Sequence, residues 1–207
     1  MGNLVKIKEN IKEMTELVLS MLKTTFEGFM KHEPDILAGV LKDELRLNDM
    51  EKAITLSLID ISKTGVNAVD KKNIVLMTNM VADLEEIGDY IKDMIERIEI
   101  KIQEKLFFSD EALDEYKHLY GVIEDALSDI DKSLRMDDNG FSQKVVADKE
   151  HVDGLIQKFR NNHAERLMSG ECDPRAGNMF LNLLDFTGQI FHHAKSIAKS
   201  ILELRWT

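Results

Sequence analysis

Four carboxylates and one amide have the spacing that could do chemistry. Glu85, Asp89 and Asp93 recur every four positions, in and just beyond the run Asp83-Leu84-Glu85-Glu86-Ile87-Gly88-Asp89. On a helix that spacing stacks them into one ridge beside Leu84, Ile87 and Ile91. Like charges so stacked repel, and a cation would relieve them; Mg, Mn and Fe ions favour carboxylate oxygens. Glu44 follows Val40 by four positions and precedes Leu47 by three, which sets it in the apolar seam of an earlier helix, with Asn48 one turn on. Polar groups in a seam need partners. A mixed Glu44, Asn48, Glu85, Asp89 cluster between two helices would suit a hard cation. Two plainer accounts stand beside it. The ridge is a solvated edge of an acidic protein, and Glu44 pairs with Lys42, Arg46 or Lys52 at the surface.

The other reactive side chains point to less. His192 and His193 are neighbours, so their rings diverge by about 100° on a helix and do not readily chelate one ion. His163 falls on an apolar stripe and reads as a hydrogen-bonded core histidine. Glu115-x-x-His118 is the single Glu-x-x-His of the chain, whereas ferritin-like di-iron bundles use two. No P-loop, nucleophile elbow or His-Glu-x-x-His zinc motif occurs. Cys172 is the only cysteine, which excludes an intrachain disulfide and a cysteine-rich zinc site, and fits a reducing compartment.

The elements that must position these residues are all helical. Apolar residues recur at three- and four-residue steps, the mark of helices burying one stripe. A first run from Leu4 to Phe29 stops at His32-Glu33-Pro34, and Pro34 suits the first turn of a second helix. The second ends near Thr64-Gly65. A third, whose stripe runs from Ile74 to Ile102, is about 35 residues long, or roughly 50 Å. Ser109, with Glu111 behind it, opens a fourth. Asp137-Asp138-Asn139-Gly140 turns into a fifth that runs through Val145, Val152, Phe159 and Leu167 to Ser169-Gly170. Asp173-Pro174 opens a sixth. No period-two run competes, so the fold class is all-α.

Six helices in two sets of three point to an internal duplication. An offset of 105 takes Val40 to Val145, Leu47 to Val152 and Ile54 to Phe159; an offset of 103 takes Val81 to Leu184, Ile87 to Ile190 and Ile98 to Ile201. The expectation is two tandem three-helix bundles, residues 1–106 and 107–207, with long antiparallel helices.

Composition narrows the partners. The chain has 207 residues, 38 acidic against 27 basic, a formal charge of -11. That field repels nucleic acid, and aromatics at 6% leave little surface for base stacking. No run of about 18 apolar residues could span a bilayer. The N-terminal Met-Gly-Asn-Leu-Val-Lys-Ile-Lys lacks the apolar core of a signal peptide. A cytoplasmic location is expected.

The run Asp83-Leu84-Glu85-Glu86-Ile87-Gly88-Asp89-Tyr90 resembles the Asp-Leu-Glu-Arg-Ile-Gly-Asp signature of PhoU-like proteins, regulators of phosphate uptake. Phe108-Ser109-Asp110-Glu111-Ala112-Leu113 with Leu119-Tyr120, His163-Ala164-Glu165-Arg166-Leu167 with Gly170, and His193-Ala194 with Ile197-Ala198 are similar to the PhoU-like domain of bacterial Na/Pi cotransporters. The resemblance implies the two-repeat fold and multinuclear metal clusters. It assigns Glu44, Asn48, Glu85, Asp89 and Asp93 as ligands of a divalent or trivalent ion (Fe, Zn, Mn or Mg) in the first repeat. The second repeat departs: Lys149 stands for Glu44, and Gly188, His192 and Ser196 stand for Glu85, Asp89 and Asp93, while Asp153 keeps the place of Asn48. The implied role is a non-enzymatic accessory of phosphate transport at the inner face of the membrane, partnered by a phosphate transporter or its membrane domain and by a second copy of itself. Rival readings are a carboxylate-bridged metal enzyme and a plain dimerising bundle.

Overall fold

A computed structural model describes residues 2–205, with side chains from 4 to 205. Met1, Trp206 and Thr207, at the outer ends of the two expected repeats, lie outside the described residues. The described chain is helical with short connections: α1 (Gly2–Lys31), α2 (Pro34–Ser62), α3 (Ala68–Gln103), α4 (Asp110–Met136), α5 (Asn139–Ala147), α6 (Lys149–Ser169) and α7 (Pro174–Glu203).

The helix ends follow local chemistry. His32 adopts a left-handed φ of 57° and closes α1, and Pro34 then occupies the first turn of α2, where its missing N–H is no loss. The Ser109 hydroxyl accepts from the Ala112 N–H to cap α4, and the Asp173 carboxylate accepts from Arg175 and Ala176 to cap α7. Gly170, at φ 77°, ends α6 in the left-handed conformation that glycine adopts freely.

The fifth expected helix is interrupted at Asp148, so it appears as α5 and α6. Backbone bonds bridge the break: Asp148 N–H reaches the Lys144 carbonyl, and Val152 N–H reaches the Asp148 carbonyl, both at 3.0 Å. Aspartate competes poorly for a helix interior. Meanwhile α5 is tied to α4, where Ser142 Oγ donates to Ser133 Oγ and Lys144 pairs with the buried Asp129. The result is a bend rather than a stop.

Helices α1, α2 and α3 pack on one another, and α4 packs with α5, α6 and α7. The broadest interface joins the sets along α3 and α7, seconded by α1 against α4. Leu84, Ile87, Ile91 and Met94 of α3 and Leu183, Ile190, Ala194 and Ile197 of α7 have no exposed surface, and they belong to one continuous core. At the α1–α4 contact the Phe26 and Tyr120 rings stack at 3.8 Å. The expected repeat boundary falls in the connection between α3 and α4.

Candidate functional site

The acidic ridge lies where α3 meets α2. Gly88 brings the helices together, because a Cβ there would sit 2.3 Å from Leu47 Cδ2. That close approach is what a glycine inside a helix leads one to expect. Glu44 is 3% exposed, in the seam as its spacing requires. Its Oε1 accepts from Asn48 Nδ2 at 3.0 Å and from Lys92 Nζ at 3.1 Å. The cation that holds Glu44 therefore comes from α3, and not from Lys42, Arg46 or Lys52. Asn48 Oδ1 is buried and lacks a hydrogen-bond partner.

Glu85 sits half-buried on the same seam. Burial raises its pKa above the usual carboxylate range, and the charges of Asp89, Glu86, Glu51 and Glu44 raise it further. The charges of Glu44 and Asp89 thus reach Glu85, and Asn48 joins them through its bond to Glu44. Asp93, one turn further along α3, is exposed and is not among the charges acting on Glu85. Among the described residues no three side chains of histidine, cysteine, aspartate and glutamate converge closely enough to hold an ion. In chemistry the set still fits a hard cation: the orphaned Asn48 Oδ1 is a free acceptor, and Lys92 is the one cation paired with Glu44 among the described residues. The fit requires Lys92 to release Glu44.

The second repeat inverts this seam. Lys149, at the place of Glu44, forms an ion pair with Asp153, at the place of Asn48. Lys195, at the place of Lys92, is buried; burial and the charges of Lys149 and Lys199 lower its pKa. His192 is exposed, and a Cβ on Gly188 would meet Ile156 Cδ1 at 2.9 Å. Lysines and packing occupy the positions where oxygen ligands would be needed.

The remaining reactive side chains are structural. His193 Nδ1 lies 2.8 Å from Asp83 Oδ1 across the α3–α7 seam, and the His192 and His193 rings stand 86° apart. His163 is buried beside Phe180, and burial lowers its pKa. Glu115 accepts from Arg166 and Asn162, so the Glu-x-x-His pattern ends in an ion pair. The sequence does not announce Lys92 and Arg166 as partners, because each lies about 50 positions from the acid it meets. A lysine three positions beyond Asp89 was the available signal for the first.

Residues 11–98, which carry this seam, match the family model described as the PhoU domain. That stretch, 88 of the 207 residues, is similar to a PhoU domain. The crystal structure of PhoU from Pseudomonas aeruginosa superposes with a TM-score of 0.90 at 20% identity, over 98% of this chain and 97% of that one. The phosphate transport system regulatory protein PhoU from Streptococcus pneumoniae gives 0.86 at 12% identity, over 97% and 94%. A putative PhoU-like phosphate regulatory protein from Shewanella oneidensis MR-1 gives 0.61 at 15%, over 98% and 96%. At these identities the likeness establishes the PhoU fold across both sets of helices. No curated protein matches the sequence.

Proposed function

We propose that this chain is a non-enzymatic regulator of phosphate transport, acting on a phosphate transporter at the cytoplasmic face of the membrane. The observation that carries the reading is the match of residues 11–98 to the PhoU domain, set in a fold shared over 97% of the chain with a phosphate transport system regulatory protein. The runs at 108–120 and 163–170, similar to those of Na/Pi cotransporter tails, favour a transporter as the direct partner. Among the described residues no helix is long and apolar enough to cross a membrane. The test is affinity capture of the tagged full chain from detergent-solubilised membranes of the source cell. Recovery of a phosphate transporter component is expected. A capture that brings down none, from phosphate-replete and phosphate-starved cells alike, would sink the reading.

Within this role the first seam is proposed to bind a divalent or trivalent cation through Glu44, Asn48, Glu85 and Asp89. When bound, the ion would take over from Lys92 the neutralisation of Glu44 and add charge beside Glu85 and Asp89. Asp89→Ala should lose most bound metal after dialysis, as measured by elemental analysis per chain, whereas His192→Ala should retain it. Metal lost through His192→Ala but kept in Asp89→Ala would move the site to the second repeat. No metal in the wild type would leave the ridge a solvated acidic edge held by Lys92.

A further inference from the structure

A second site lies at the end of the bundle where α1 stops and α3 hands over to α4. Lys101, in the last turn of α3, is 4% exposed. It lines a cavity of about 90 Å³ with His32, Phe29, Phe107 and Phe108. Its ammonium lies 3.0 Å from His32 Nε2 and sits over the rings of Phe29 and Phe108 at 5.0 and 5.3 Å. An ammonium only donates, so His32 must accept through Nε2 and carry its proton on Nδ1. Burial and the neighbouring Lys101 charge both lower the His32 pKa. Burial likewise lowers the pKa of Lys101.

Among the described residues the Lys101 ammonium meets His32 and two rings and no carboxylate, although the chain has 38 to choose from. Two aromatic faces and a neutral imidazole are weak compensation for a buried cation. A position in the last turn suits the helix dipole, but that explains the sign of the charge and not the open space beside it. Phe107 is 70% exposed and forms the rim, an unusual amount of apolar surface for one ring at a cavity mouth.

We infer that this cavity binds a small monocarboxylate with a short apolar tail. The carboxylate supplies the missing counter-ion at Lys101 Nζ, and the tail lies against Phe29 and Phe107. Inorganic phosphate suits the cavity poorly. Its several charged oxygens each need a donor, and the lining offers one ammonium among rings. The volume fits a molecule of a few carbons, well below the 150 Å³ or so that holds a benzene ring.

The experiment is calorimetric titration of the full chain with butyrate, and separately with inorganic phosphate. One saturable butyrate site per chain is expected. Lys101→Met should weaken it at least tenfold while circular dichroism confirms the fold, and Phe107→Ala should weaken it several-fold. Should Lys101→Met fail to fold, the exposed Phe107→Ala change decides by itself. The inference is overturned if the wild type shows no saturable butyrate binding, or if the folded variants bind as tightly as the wild type. Phosphate binding more tightly than butyrate, with the same dependence on Lys101, would overturn the assignment to carboxylates.

Discussion

Ile87→Asp is expected to destabilise the fold by about 4–5 kcal/mol, at the top of the range for single substitutions. Ile87 has no exposed surface and sits in the middle of α3, between Leu84 and Ile91, which are equally buried. The change removes a buried aliphatic side chain, itself worth roughly 1.5–3 kcal/mol, and leaves a carboxylate without a partner. Domains are stable by only about 5–15 kcal/mol, so the variant should be largely unfolded in modest denaturant. Glu96→Lys is the control, because Glu96 stands exposed on the opposite face of the same helix. It should shift stability by no more than about 0.5 kcal/mol. Urea melts of the two variants make the comparison. Equal losses would mean that α3 turns another stripe toward the core.

The second large effect belongs to Arg166. Its guanidinium pairs with Glu115 at 2.8 Å and stacks 5.6 Å over the Phe180 ring, with the two charged side chains only 11% and 13% exposed. Arg166→Met keeps the packing volume but strands Glu115, to which Asn162 still donates at 2.6 Å. Breaking such a buried pair costs about 3–5 kcal/mol, whereas replacing both partners is often near neutral. The double variant Arg166→Met with Glu115→Gln should therefore recover most of the loss. A double-mutant cycle by chemical denaturation gives the coupling directly. Strictly additive losses would show that the pair contributes packing alone.

What could be read from the sequence was local. Proline, serine, aspartate and glycine at Pro34, Ser109, Asp173 and Gly170 act within a turn of where they stand, so their helix ends were legible. The stripes were legible too, since burial of Ile87 or Ile190 needs only the phase of one helix. The bend at Asp148 was not, because Val145 and Val152 are seven apart and keep the same phase across it. Contacts between helices were harder still. That Glu44 lies in a seam follows from its own helix, but its meeting with Lys92 depends on how α2 and α3 slide along each other, which Gly88 and Leu47 set. The Lys101 cavity needs three chain segments to converge, and nothing in the spacing of Phe29, Lys101 and Phe107 announces it.

The junction of α3 with α7 bears on how this molecule comes apart. Its helices lie more than a hundred positions apart in sequence, yet they share the most apolar ground in the structure. Neither half can open along that line without wetting the other's interior. Duplicated domains often melt piecemeal, each half reporting its own transition. Here the shared core predicts that the two halves unfold together, with the amides at the centre of α3 and α7 among the last to exchange. A substitution that loosens α3 at the acidic seam should therefore lower the exchange protection of α7 as well.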